Sequence, residues 1–115
     1  MQELPQRFDI NKPPGPALLY VNAKWCGACK STRPAMLEVA KTMRESGFPV
    51  YDVDEAKHGD MVERWGVKAF PTILLVGRGG ILKYEGQRNY TNLITFVCLN
   101  SDGRHGFCSR VRVPS

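Results

Sequence analysis

Apolar positions along the chain fall into short unbroken runs separated by stripes at helical spacing. Ala17-Leu18-Leu19-Tyr20-Val21 is a continuous run of the length of a buried strand. From residue 27 to about 45 the period becomes helical, with Thr32, Met36, Val39, Ala40 and Met43 on one stripe. Ser46-Gly47 closes that helix. Pro34 within it removes the bond to the Lys30 carbonyl, which predicts a kinked axis. Residues 49–54 alternate like a strand. Asp60-Met61-Val62-Glu63 has capping-box spacing, so Asp60 is the expected N-cap of a short helix ending near Trp65-Gly66. Residues 72–76 read as a second buried strand, Gly77-Arg78-Gly79-Gly80 as a turn, and 81–84 as its antiparallel partner. A last helix over roughly 89 to 99 turns Leu93, Phe96 and Val97 inward. The first sixteen residues hold Pro5, Pro13, Pro14, Gly15 and Pro16, which predicts an irregular lead-in with at most a short strand.

The element order is strand–helix–strand–helix–strand–strand–helix. The first two strand–helix–strand links call for parallel pairing with right-handed crossovers. The expected fold is a small mixed α/β sheet with helices on both faces, without repeats or low-complexity segments. Three stretches follow: a lead-in over 1–16, a domain over 17–99 and a basic tail over 100–115.

Length and composition narrow the function classes. At 115 residues, with 43% hydrophobic and 23% charged, the chain fits one ordinary globular domain. A core of this size buries roughly two thirds of the unfolded surface. Four cysteines are too few for a disulfide scaffold, so they are free for chemistry. The longest apolar stretches, such as Ile73-Leu74-Leu75-Val76, fall far short of a membrane span, and no membrane partner is expected. Residues 1–7 show no charged segment followed by an apolar one, and a cytoplasmic setting is the expectation. The net charge is +5. Part of it sits at the end, where Arg104, Arg110 and Arg112 face only Asp102. That pattern reads as a solvated basic tail rather than a nucleic-acid stripe, so no nucleic acid is expected.

Trp25-Cys26-Gly27-Ala28-Cys29-Lys30 lies where a strand feeds a helix. Cys26 then occupies the helix N-terminus, where unpaired backbone N–H groups and the macrodipole favour an anion by on the order of 1 kcal/mol. Cys29 follows nearly one turn on, facing inward, with a Cα separation of roughly 5.5 Å that suits a disulfide. Gly27 leaves an exposed Cys26 sulfur open to a partner chain. Cys26 is the expected attacking thiolate and Cys29 the resolving thiol. Zinc would need two further ligands, but there is no second C-x-x-C and His58 and His105 are isolated, so no metal is expected. A bridge between residues three apart closes almost no loop and would add little stability.

Lys24-Trp25-Cys26-Gly27-Ala28-Cys29-Lys30, with Pro34 downstream and Phe70-Pro71-Thr72 before a buried strand, resembles the thioredoxin superfamily. The resemblance runs from about Ala17 to Leu99. It implies a near-minimal thioredoxin fold with a shortened lead-in, and reversible thiol–disulfide exchange with proteins. It further implies a cis Pro71 facing the cysteine pair, with the Phe70 backbone offered to the substrate chain. Trp25, Gly27, Ala28, Phe70 and Pro71 become the candidate substrate-binding residues. The bland reading of Pro71 is a proline at a strand start. Trp25 is either a platform beside Cys26 or a packed aromatic, whereas Trp65 is assigned to the core.

Departures from the family pattern matter too. The family's buried acid six residues before the first cysteine, held to relay a proton to the second, is here Tyr20. A phenol is a poor base at neutral pH, so deprotonation of Cys29 is expected to be slow. Ala28 stands where thioredoxins have proline and disulfide isomerases histidine, which implies an intermediate redox potential. Tyr84-Glu85-Gly86-Gln87-Arg88 resembles the Tyr-x-Gly-x-Arg of isomerase catalytic domains. There the arginine is believed to lower the pKa of the resolving thiol. Arg88 is therefore a candidate modulator, its bland alternative being a surface arginine near a helix start. Cys98 and Cys108 either pair, which would suggest an oxidising compartment, or remain a buried thiol and a loose one.

The expected function is a monomeric thiol–disulfide oxidoreductase acting on protein disulfides. No nucleotide fingerprint is present, so no cofactor is expected and electrons pass to or from a separate dithiol system. The alternative is a thioredoxin-fold binding module with little or no redox turnover, a reading that Tyr20 keeps open.

Overall fold

The computed structural model describes residues 1–101 and 105–110, so Asp102, Arg104, Arg112 and the Arg110 side chain lie outside the described residues. The elements are β1 (Gln2–Glu3), β2 (Ala17–Asn22), α1 (Gly27–Arg44), β3 (Val50–Asp54), α2 (Glu55–Arg64), β4 (Thr72–Gly77), β5 (Gly80–Lys83) and α3 (Tyr90–Asn100), followed by a short 3-10 turn over Gly106–Arg110. The strands form one sheet in the order β1-β3-β2-β4-β5. All six residues of β2 are buried, as its unbroken apolar run requires of a central strand covered on both faces.

Strand β2 pairs parallel with β3, joined through α1, as the sequence predicts. The second link departs from expectation. Strand β4 lies on the other side of β2 and runs antiparallel to it, with Val21 opposite Thr72. Because Asn22 is opposite Asp54, β3 ends at the same edge of the sheet from which β4 starts. Helix α2 and residues 65–71 thus leave and return to one end of the sheet, whereas a parallel crossover would carry the chain to the other end.

That helix also begins earlier than its capping-box pattern suggests. Asp54 is the N-cap, its carboxylate accepting from the Ala56 N–H at 2.9 Å, and Asp60 lies inside the helix. Strand β3 delivers Asp54 in extended conformation, so the first orphan N–H groups are met there. A non-helical His58 (φ −123°, ψ 30°) breaks the regularity between the two acids. The C-terminal boundary at Trp65 is as expected.

Helix α1 runs unbroken through Pro34 and buries Thr32, Met36, Val39, Ala40 and Met43, the stripe read from the sequence, together with Cys29. Beyond its end, Gly47 takes φ +70°, and the Gly47 and Phe48 N–H groups return to the carbonyls of Arg44 and Met43. With α3, α1 covers one sheet face around Leu18, Tyr20, Ile73 and Leu75. On α3, Ile94 and Cys98 join Leu93 and Val97 in the core, while Phe96 is only half-buried against Tyr84 (ring centroids 5.0 Å apart). The other face is covered by α2 and by Leu4 and Ile10 of the lead-in, which packs despite its prolines. Nor is the tail wholly solvated. Phe107 and Cys108 are buried, and Cys108 is bonded to Cys98. No helix among the described residues is long and apolar enough to cross a membrane.

Candidate active site

Strand β2 ends at Asn22, and Ala23, Lys24 and Trp25 lead into α1, so the strand direction fixes where Cys26 stands. Cys26 is the N-cap of α1. Its Sγ receives the Cys29 N–H at 3.1 Å, and its thiol reaches the Phe70 carbonyl at 3.5 Å. A sulfur in that position already meets one of the orphan donors of the helix start, and a thiolate there would meet the same donor more strongly. The thiol is not exposed as the sequence reading supposed. Cys26 is only 6% accessible, covered by Phe70 and Ala23. Gly27 does face outward, since a Cβ there would meet nothing within 4 Å.

The Phe70–Pro71 bond is cis, and the Phe70 carbonyl is the backbone group brought to Cys26. The Thr72 hydroxyl donates to the Ala69 carbonyl at 2.7 Å and ties the loop to the start of β4. Trp25 is 70% exposed and meets Phe70 edge-to-face with centroids 5.8 Å apart. This placement is that of a platform beside the thiol rather than a core aromatic. Trp65, by contrast, is half-buried at the edge of the second core cluster instead of inside it.

Cys29 sits one turn below, 3% accessible. Burial pushes its thiol up to about 11, and a hydrogen bond from that thiol to Cys26 adds to the rise; a backbone hydrogen bond at Ala23 and the positive charge of Arg88 pull the other way. Arg88 follows a turn closed by Tyr84. Tyr84 donates its hydroxyl to the Gln87 carbonyl, and a Cβ at residue 86 would lie 2.8 Å from that hydroxyl. A side chain at 86 would have to displace the Tyr84 hydroxyl.

Tyr20 is fully buried beneath the pair and donates its hydroxyl to the Cys29 carbonyl. Burial, then the Cys29 charge, pushes the phenol up to about 12. It remains a hydrogen-bond donor and does not serve as a base near neutral pH.

One feature was missed from sequence. Asn22, Arg33 and Asp52 close a polar ring beside the site: Asn22 Nδ2 donates to Asp52 Oδ1 at 2.7 Å, and Arg33 donates to Asp52 Oδ2 at 3.1 Å and to Asn22 Oδ1 at 3.2 Å. The Arg33 guanidinium also stacks 5.6 Å from the Tyr20 ring centroid. Alternation contained the signal. With β2 and β3 parallel, Tyr20 lies opposite Asp52 and Asn22 opposite Asp54, so residues two apart share the face under α1.

The thioredoxin family model matches residues 5–98. Bovine (Bos taurus) protein disulfide-isomerase A4 is 32% identical over 82 residues, 70% of this chain and 13% of that protein. Human (Homo sapiens) protein disulfide-isomerase TMX3 is 30% identical over 99 residues, 84% of this chain and 22% of that protein. The chain therefore spans less than a quarter of the length of these relatives. The crystal structure of human ERp44 form I superposes with a TM-score of 0.75 at 24% identity, over 89% of this chain and 30% of that one, a likeness of fold. With the family model covering most of the chain and the C-x-x-C pair seated against a cis-proline loop, this protein belongs to the thioredoxin family.

Proposed function

We propose that the protein catalyses thiol–disulfide exchange with protein substrates through Cys26 and Cys29. The observation that carries this reading is the setting of Cys26, held at a helix N-terminus by the Cys29 N–H and against the Phe70 carbonyl. The Cys26 thiolate attacks one sulfur of a substrate disulfide, and the second substrate sulfur leaves as a thiolate that takes up a proton. Cys29, once deprotonated, attacks Cys26 Sγ. The Cys26–Cys29 disulfide forms, the substrate leaves reduced, and two electrons have moved. A separate dithiol protein restores the pair, and the reverse sequence oxidises a substrate. Trp25 and the Phe70 backbone flank the reacting sulfur and are the groups offered to the substrate chain. We take the acting unit to be a monomer.

In an insulin-reduction assay driven by dithiothreitol, wild-type protein is expected to shorten the lag, and Cys26→Ser to return it to the uncatalysed value. Equal rates for the two would leave only a binding module. Cys29→Ser is expected to accumulate mixed disulfides on Cys26, which non-reducing gels and mass spectrometry detect.

Arg88 gives a finer prediction. Its charge lowers Cys29, so Arg88→Gln is expected to raise that thiol and slow release of a substrate trapped on Cys26 about twofold at neutral pH. Arg88→Lys should restore most of the rate. An unchanged rate in Arg88→Gln would reduce Arg88 to a surface arginine.

A further inference from the structure

Beyond the cysteines, a groove of about 860 Å³ opens on the face of the sheet opposite α1. Its floor includes Leu74 and Met61, both buried, and the half-buried Trp65 forms part of its wall. Arg7, Arg64, Lys68 and Lys83 line it, against the single carboxylate of Asp9. Lys83 is within 3.9 Å of Glu85, and Arg64 donates to the backbone carbonyl of Asp60 at 3.3 Å. Among the described residues, no carboxylate lies within ion-pair distance of Arg7, Arg64 or Lys68.

Two observations say what kind of chain fits. The groove continues into the site already described: Ala69 lines it, and the next residue, Phe70, places its carbonyl 3.5 Å from Cys26 Sγ. Adjacent Cα atoms are about 3.8 Å apart, so a chain bonded to Cys26 can enter the groove within a few residues. The groove is also bordered by β5, which ends the sheet and is exposed at all four residues. An edge strand offers unpaired backbone N–H and C=O groups to an extended polypeptide. Ile81 and Lys83 line the groove while Leu82 faces away, so alternate side chains of an added strand would point into it. A nucleic acid has no backbone that can pair in this way, and Phe8, the other aromatic of the wall, is already packed edge-to-face on Tyr51 at 5.6 Å.

We propose that this groove binds an extended acidic polypeptide segment, flanking the reactive cysteine of a substrate protein, with apolar side chains against the Leu74 floor and the Trp65 wall and carboxylates on Arg64, Lys68 and Arg7. The substrate part of this assignment rests on the exchange reading above. The binding part does not.

The test uses two short synthetic peptides, each carrying one cysteine as a mixed disulfide with thionitrobenzoate. One has a Glu/Leu-rich flank and the other the same flank with Lys for Glu. When Cys26 bonds to the peptide sulfur, thionitrobenzoate leaves as a coloured thiolate. The acidic peptide is expected to react about tenfold faster or more, an advantage that fades toward 1 M salt. The double variant R64E/K68E should reverse the order of the two peptides. The pair K41E/R44E makes the same change in net charge on α1 and should leave the order as in wild type. Equal rates for both peptides, or the same reversal in K41E/R44E, would overturn the proposal.

Two further arms separate the failures. Hydroxyethyl disulfide reports the exchange chemistry without any flank; if wild type is no faster than Cys26→Ser with it, the exchange reading falls. A cysteine-free acidic peptide, followed through the amide resonances of residues 64–69 and 81–83, then decides the groove by itself. Shifts confined to those amides support it, and shifts absent or spread over the surface overturn it. So does a single-stranded oligonucleotide of matching charge that displaces the peptide at lower concentration.

Discussion

Release of a substrate from its mixed disulfide with Cys26 is expected to accelerate about tenfold for each pH unit between pH 7 and 10. The attacking group is the Cys29 thiolate, and burial holds that thiol at about 11. The thiolate is then scarce at pH 7, and each unit of pH multiplies its share by about ten until the pKa is reached. The sign follows from the charge: burial disfavours the anion, so the reactive form is gained as pH rises. The hydrogen bond to Cys26 and the Cys26 charge are lost once Cys26 is in the mixed disulfide, but desolvation, the larger cause, persists. Tyr20 does not relieve the requirement, because its own phenol is pushed up to about 12 and its hydroxyl is committed to the Cys29 carbonyl. Tyr20→Phe should therefore keep the slope of the profile. Loading Cys26 with thionitrobenzoate and following its displacement by stopped flow measures the rate. A plateau already reached near pH 8 would show that Cys29 titrates like an ordinary thiol.

If that profile holds, Tyr20 changes the character of the exchange reading rather than excluding it. Attack by Cys26 can be quick while resolution is slow at neutral pH, and substrates then dwell as mixed disulfides. Such a molecule would lie between a turnover catalyst and a covalent binding module, the two functions between which the sequence divides. The charge of Arg88 opposes the rise at Cys29, with a smaller influence than burial.

The features legible in the sequence are those with local causes. The α1 stripe follows from helical period alone, and all five of its assigned residues are buried. The Cys26 cap follows from a strand leading into a helix. The N-cap of α2 was misplaced because Asp54 and Asp60 are both competent local caps, and the choice is made by β3, which presents Asp54 at the sheet edge in extended conformation. The direction of β4 depends on where residues 65–71 return the chain, and no pattern within that segment encodes it. The exposed thiol was likewise a local inference. Phe70, more than forty residues away, covers Cys26, and only the assembled sheet brings them together. The Asn22–Arg33–Asp52 ring has the same origin, joining residues of β2, α1 and β3. Trp65 stays half-buried because it packs on the second core cluster while also lining the groove.

Replacing Cys98 and Cys108 together by alanine is expected to lower the stability of the domain by about 3 kcal/mol. The two residues are ten apart, and closing a loop of that length removes roughly this much chain entropy from the unfolded state. The native state gains from the bridge as well. It holds the turn over Gly106–Arg110 against α3, where Phe107 is buried and meets Phe48 edge-to-face at 6.1 Å. His105 stacks on Phe107 and also meets Phe48 edge-to-face, at 5.2 and 5.0 Å. Without the bridge this aromatic cluster has to hold the turn by packing alone, against the entropy cost of ordering the turn itself. For a domain of this length the loss corresponds to a fall in Tm of about 10 °C. Thermal unfolding of wild type and the double variant, both with Cys26 and Cys29 reduced and alkylated, measures it. A difference below about 1 kcal/mol would mean that the cluster holds the turn unaided. The same bridge also reports on the compartment the protein occupies. A cytoplasmic glutathione pool disfavours such a bond, so acid-quenched protein from its source should carry Cys98 and Cys108 as free thiols there, and as a disulfide in an oxidising compartment.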